Sequence, residues 1–140
     1  MNTVETLLKN KATGFWSISP TSKVIDALKL MAEKNIGALV VVDNGKLIGI
    51  ISERDYARKV ALMGKSSVET PVSEIMALPV TTVTLKNTRE ECMVLMTSNH
   101  FRHLPVENSG QVIGLISIGD LVKDVIEDQQ QTIQKLYNRF

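Results

Sequence analysis

Two stretches of this 140-residue chain carry the pattern Gly-apolar-apolar-Ser-x-x-Asp. They are Gly49-Ile50-Ile51-Ser52-Glu53-Arg54-Asp55 and Gly114-Leu115-Ile116-Ser117-Ile118-Gly119-Asp120. In each, an apolar run ends a strand and the serine opens a helix. A glycine there allows close backbone approach to something bound. The N-terminus of a helix offers unpaired N–H groups and the positive end of the dipole, which suits phosphate. The aspartate three residues after the serine has two oxygens able to accept hydrogen bonds from adjacent sugar hydroxyls. The same Ser-x-x-Asp spacing is also a capping box that needs no ligand, and a duplication would copy a cap as readily as a site.

Other reactive side chains are sparser. Arg54, Arg58 and Lys59 cluster in the first turns after Ser52, either as a solvated face or as phosphate contacts. His100 and His103 stand three apart with no third ligand at metal spacing, so no metal site is expected, and His103 reads better as a phosphate partner. Cys92 falls on the apolar stripe of a helix, as a small core residue rather than a nucleophile. Met31, Met93 and Met96 read as core, and Trp16 as packing at the edge of a cleft.

The elements that carry these residues are repeated. Shifting the chain by 65 places residues 14–55 on 79–120 without a gap. Ten pairs are then identical: Leu30/Leu95, Met31/Met96, Leu39/Leu104, Val41/Val106, Gly45/Gly110, Ile48/Ile113, Gly49/Gly114, Ile51/Ile116, Ser52/Ser117 and Asp55/Asp120. Val4-x-x-Leu7-Leu8 also resembles Val72-x-x-Ile75-Met76 at an offset of 68, which leaves three extra residues in the first copy within Lys9 to Thr13. Each copy predicts a short apolar helix (Val4 to Lys9; Val72 to Met76) and a short strand (Phe15 to Ser19; Val80 to Thr84). An amphipathic helix follows, with Val24, Leu28, Met31 and Ala32 on one stripe of Lys23 to Lys34. Its counterpart has a capping box at Asn87/Glu90 or Thr88/Glu91. A β-hairpin comes next, turning at Asn44-Gly45 and at Asn108-Ser109-Gly110, and a second helix starts at Ser52 or Ser117. Gly64 to Pro71 reads as a linker, dividing the chain into units 1–66 and 67–140. Units of about 60 residues are marginal alone, so an intimate pair with an approximate twofold axis is expected. The element order implies an α/β (α+β) architecture with a small mixed sheet in each half.

Composition bounds the function. Sixteen basic residues against fifteen acidic give a net charge of +1, without the basic excess of a general nucleic-acid binder. No apolar run is long enough to cross a membrane, and Met1 to Lys11 lacks the apolar block of a signal peptide. The lone Cys92 cannot form an internal disulfide, which favours a reducing, cytoplasmic setting. No activated nucleophile, metal cluster or acid/base carboxylate pair points to an enzyme.

On Ile36-Gly37-Ala38-Leu39-Val40-Val41 with Gly49 to Asp55, and Arg102-His103-Leu104-Pro105-Val106 with Gly114 to Asp120, the chain resembles a tandem pair of cystathionine-β-synthase (CBS) domains, a Bateman module. The likeness covers residues 3–127 and extends to stand-alone CBS proteins assigned to signal transduction. It implies two tandem β-α-β-β-α repeats and two clefts for adenosine-containing ligands: AMP, ADP, ATP, NAD or S-adenosylmethionine. In that family the motif aspartate holds ribose and the hydroxyl residue contacts ribose or phosphate, roles that would fall to Asp55, Asp120, Ser52 and Ser117. Serine replaces the commoner threonine here. The adenine would lie against Ser17, Ile18, Ala38 and Ile51 in one site, and against Val80, Thr82, Pro105 and Ile116 in the other.

The resemblance thus implies a regulatory module, read by an effector protein in trans, with homodimerisation through helices. The last helix, Leu121 to Tyr137, carries an apolar stripe too long for one unit to cover. The alternatives are a structural dimerisation module with vestigial pockets and a nucleotide-hydrolysing enzyme. Finally, the copies differ where charge enters: Arg102-His103 replaces Gly37-Ala38, and Gly119 replaces Arg54. The Ser117/Asp120 cleft is therefore expected to be the tighter phosphate site, with Arg102 and His103 on its wall.

Overall fold

The computed structural model describes residues 2–11 and 14–139. Its elements run α1 (Val4–Asn10), β1 (Ser17–Ile18), α2 (Val24–Lys34), β2 (Ala38–Asp43), β3 (Lys46–Ser52), α3 (Glu53–Tyr56), α4 (Val72–Ile75), α5 (Arg89–Asn99), β4 (His103–Asn108), β5 (Gln111–Ser117) and α6 (Ile118–Asn138). A π-helical turn at Ala57–Ala61 continues α3. The architecture is mixed α+β, as the sequence predicts.

The hairpins follow from their turn residues. Asn44 and Gly45 have φ of 51° and 78°, and Ser109 and Gly110 have 52° and 81°. Left-handed backbone at both central positions matches the twist of antiparallel strands. β2–β3 and β4–β5 then zip in equivalent registers, each with a shift after the same repeat position, Val41 and Val106. Strand alternation sorts the side chains. Leu39, Val41 and Ile51 join Val24, Ala27 and Met31 of α2 in one core. Leu104, Val106 and Ile116 join Cys92 and Met96 of α5 in a second. On the opposite face Ala38, Val40 and Leu115 form a third cluster, flanked by Phe15, Ile50 and Val112, where the two sheets meet.

The short helices cross over. Val4 and Leu7 of α1 are buried in the core of the second repeat, and Val72 and Ile75 of α4 in the core of the first. The sequence repeats and the packed units are therefore different sets of residues. The motif glycines serve this exchange. A Cβ on Gly49 would meet Met76 Sδ at 2.6 Å, and one on Gly114 would meet Leu8 Cδ2 at 2.7 Å. The close approach that the glycines allow is to α1 and to the end of α4, not to a ligand. Gly114→Val is accordingly expected to destabilise the fold by roughly 1–3 kcal/mol through overpacking, read as a lower urea midpoint.

The first β-strand of the second copy is a correction. Val80 to Thr84 forms no strand and makes only a single parallel bridge, Val83 to Val106. In the first copy Val40 N donates to the Trp16 carbonyl at 3.3 Å, beside the parallel pairing of Ser17 and Ile18 with β2. The residue equivalent to Val40 is Pro105, which has no N–H to donate. The second sheet is thus two-stranded and antiparallel, whereas the first is three-stranded and mixed. Met93, expected in the core, is partly exposed. Cys92 is buried, and desolvation pushes its thiol up to about 11, which keeps it protonated and unreactive.

The linker is more structured than its composition suggests. The α2 N-terminus has no side-chain cap, and its Val24 and Ile25 N–H groups donate to the Thr70 and Ser67 carbonyls, both at 2.9 Å. Thr88 with Glu91, not Asn87 with Glu90, makes the box at α5. Next to it Arg89 donates to Asp124 at 2.8 Å and Asp128 at 2.6 Å, and Asn2 donates to Asp124 at 2.7 Å. This network ties the residues before α1 to the start of α5 and the middle of α6.

Candidate functional site

Ser52 and Ser117 cap their helices in full. Ser52 N donates to Asp55 Oδ2 at 2.9 Å and Asp55 N donates to Ser52 Oγ at 3.2 Å. Ser117 N donates to Asp120 Oδ2 at 2.8 Å and Asp120 N donates to Ser117 Oγ at 3.1 Å. The capping-box reading therefore holds for both copies. It leaves the ligand reading open, because each box holds its carboxylate in the wall of a cleft.

The larger cleft, about 440 Å³, lies between the repeats. Ser52, Glu53, Arg54, Asp55 and Arg58 form one wall and His100, Phe101, Arg102 and His103 another, with Gly37, Ile50 and Ala77 between them. Three guanidinium-bearing and two carboxylate-bearing residues thus line one cleft around a helix start, with Arg102 on the wall opposite the others. Lys59 is used differently: its ammonium bonds the Ile75 carbonyl at 3.0 Å and lies 3.3 Å from Asp55 Oδ1.

The second cleft, about 280 Å³, is lined by Ser117, Asp120 and Leu115 from the second repeat and by Phe15, Trp16, Asn35, Ile36, Gly37 and Ala38 from the first, with Lys11, Gly14 and His103. Lys11 donates to the Leu115 carbonyl at 2.6 Å and to Asp120 Oδ2 at 2.9 Å. Burial pushes the Asp120 carboxyl up, but the Ser117 hydrogen bonds and the Lys11 ammonium outweigh it, so the group titrates below the usual carboxylate range.

Each cleft thus combines the motif of one repeat with the residues that lead into the hairpin of the other. This corrects the sequence expectation for Arg102, which lines the Ser52/Asp55 cleft together with Arg54. Its carbonyl accepts from Ile118 N of its own repeat at 2.9 Å, just as Gly37 O accepts from Glu53 N at 3.1 Å. Each hairpin start therefore sits between the two helix N-termini. Ala38 accordingly lines the Ser117/Asp120 cleft, and His103 lines both. Burial, reinforced by the Lys11 charge, lowers the His103 pKa, which favours the neutral ring.

The proposed adenine-lining residues are only partly gathered. Ile51 and Ile116 are buried in the two repeat cores, and Pro105 is buried in β4. Thr82 bonds Glu107 at 3.1 Å. Of the described residues, Ser17, Ile18, Ile51, Val80, Thr82, Pro105 and Ile116 lie outside the walls of both clefts. Trp16 is in the second cleft, with the Lys34 ammonium 4.3 Å from its ring centroid.

Lys11 is the site residue that sequence reasoning passes over. Its signal is its place in the stretch Lys9 to Thr13, where the first copy breaks the repeat; residues 12 and 13 lie outside the described set. Among the described residues, no three His, Cys, Asp or Glu side chains converge as metal ligands, and no helix is long and apolar enough to cross a membrane.

A family profile for the CBS domain matches residues 12–62 and 72–127. The chain is 41% identical, over 96% of its length and 69% of the relative's, to the CBS domain-containing protein CBSX3, mitochondrial, of Arabidopsis thaliana. It superposes with a TM-score of 0.86 on a CBS-domain protein from Burkholderia ambifaria MC40-6, at 52% identity over 91% of this chain and 96% of that one. The structure of CBSX2 in complex with AMP shares the fold, with a TM-score of 0.75 at 24% identity over 92% of this chain and 99% of that one. With two profile matches that account for both repeats, and with the paired hairpins and helices they require, this chain belongs to the CBS domain family.

Proposed function

We propose that the chain is a regulatory module that binds an adenosine-containing nucleotide, AMP, ADP, ATP or NAD, chiefly in the Ser52/Asp55 cleft. One observation carries this reading: Arg54, Arg58 and Arg102 converge on a cleft whose wall contains a capped helix start. A guanidinium forks onto phosphate oxygens, and such charge-assisted bonds are the stronger kind. Asp55 supplies the acceptor for the ribose diol: its Oδ1 stands outside the capping box and, with the Lys59 ammonium 3.3 Å away, still has lone pairs to offer. The volume suits a small-molecule ligand. The AMP complex of CBSX2 supports an adenine nucleotide as the ligand class for this fold.

The module acts by binding, not by turnover. Occupancy of a cleft built from both repeats favours one arrangement of the two, which an effector protein in trans then reads. The chain pairs as a homodimer through α6, whose Val122, Ile126, Ile133, Leu136 and Tyr137 are exposed. A reducing compartment such as the cytoplasm suits its single buried thiol.

The test is calorimetry with AMP and 2′-deoxy-AMP. Asp55→Ala should weaken AMP binding at least roughly tenfold, and the deoxy ligand should bind wild type correspondingly worse. Equal affinities for the two ligands would contradict the role given to Asp55. A protein that instead converts ATP or NAD on incubation would be an enzyme.

A further inference from the structure

The two clefts differ in how one carbonyl is satisfied. In the first repeat the Ile50 carbonyl accepts from the backbone N–H of Ala77 at 2.7 Å, a fixed contact of the strand edge. The equivalent carbonyl, Leu115, accepts instead from the side-chain ammonium of Lys11 at 2.6 Å. That ammonium also holds Asp120, the acceptor that the nucleotide reading assigns to sugar, at 2.9 Å. The pair is largely shielded, with the Lys11 side chain 19% exposed and that of Asp120 27%. Lys11 further lines a neighbouring cavity of about 200 Å³ whose walls include Asp124 and Glu127. Asp124 is already paired with Arg89 and Asn2 and Lys123 adds a positive charge to that wall, so the exposed Glu127 is the carboxylate there for an ammonium displaced from Asp120.

From this geometry we infer that Lys11 is a tethered gate on the second cleft: its ammonium pairs Asp120 Oδ2 within the cleft and neutralises that carboxylate as an acceptor, so a nucleoside binds tightly there only once the ammonium is displaced. This rests on the nucleotide reading of the site. Strand edges sealed by backbone are permanent parts of a sheet, whereas a lysine on four rotatable carbons exchanges partners at small cost. The gate would make two copies of one motif act unequally. In the first cleft the corresponding ion pair is longer, 3.3 Å from Lys59 to Asp55, and the Lys59 side chain is 45% exposed, whereas Lys11 lies 2.9 Å from Asp120 and is 19% exposed. The second cleft therefore takes ligand only when the gain exceeds that of the tighter Lys11–Asp120 pair.

Trp16 is the single tryptophan and lines this cleft, so its fluorescence reports on it alone. Wild type, Lys11→Met and Lys11→Gln are titrated with adenosine by fluorescence, and with adenosine and AMP by calorimetry. Glutamine retains a donor for the Leu115 carbonyl while removing the charge, which guards against a loosened strand edge. Both variants should bind adenosine at the Trp16 cleft roughly tenfold tighter than wild type, or better. Unchanged or weaker adenosine binding in Lys11→Gln, with AMP still detected in the first cleft, overturns the gate alone. If calorimetry detects neither ligand in any of the three proteins, the nucleotide reading falls and the gate with it.

Discussion

Arg102→Ala is expected to weaken AMP binding in the Ser52/Asp55 cleft by roughly ten- to a hundredfold and to leave adenosine binding nearly unchanged. Arg102 comes from the second repeat but lines the first repeat's cleft, opposite Arg54 and Arg58. A phosphate placed there can be gripped from both walls, so removing one guanidinium loses charge-assisted bonds without altering the sugar or base contacts. Because Arg102 is exposed, truncating it should leave stability within about 0.5 kcal/mol of wild type. The readout is calorimetry with the two ligands side by side. A variant that keeps the wild-type preference for AMP over adenosine would remove Arg102 from the phosphate site.

A second large effect concerns stability. Arg89→Ala should lower the unfolding free energy by roughly 3 kcal/mol, measured by urea denaturation at neutral pH. Asp124 is 7% exposed and would keep only Asn2 as its partner. The cost arises mainly from that nearly buried carboxylate, left without its cation. A pH series gives an independent check. The Arg89 hydrogen bond holds the Asp128 carboxyl below its ordinary range. A carboxyl whose pKa is lower folded than unfolded contributes fully above the unfolded value, and its contribution is lost as the pH falls through the folded value. The gap between wild type and Arg89→Ala should therefore narrow in acid. A gap of equal size at pH 2.5 and pH 7 would show that lost packing, not charge, sets the effect.

What could be read in advance divides along physical lines. Local rules placed the hairpins, since Asn44-Gly45 and Ser109-Gly110 specify left-handed turns between β-branched runs. They also placed the caps at Ser52 and Ser117 and narrowed the α5 cap to Asn87 or Thr88. The same rules overextended the strand at Val80 to Thr84, because its partner was misjudged rather than its own residues. The missing donor is at Pro105, more than twenty positions away. The cleft walls were harder still. Pattern alone grouped Arg102 with Ser117 and Asp120, its neighbours in the repeat, whereas packing turns each hairpin start toward the opposite motif. The clefts depend on how the halves face each other, a relation no single repeat contains. The glycines were read as points of close approach to something bound, whereas the atoms that come close belong to Leu8 and Met76, on elements whose crossing was not anticipated.

The crossing of α1 and α4 has a consequence in time. Synthesis runs from the N-terminus, so α1 is made well before the second hairpin. Its apolar face, Val4 and Leu7, is buried in one core with Leu104, Val106 and Ile116, which follow roughly a hundred residues later. α4, by contrast, closes the first core soon after that core is complete. A nascent chain can thus finish one half early while α1 waits, its hydrophobic face in need of shelter until the last hairpin leaves the ribosome. Long-range closure of this kind slows folding and ties α1 and the second hairpin into one cooperative event.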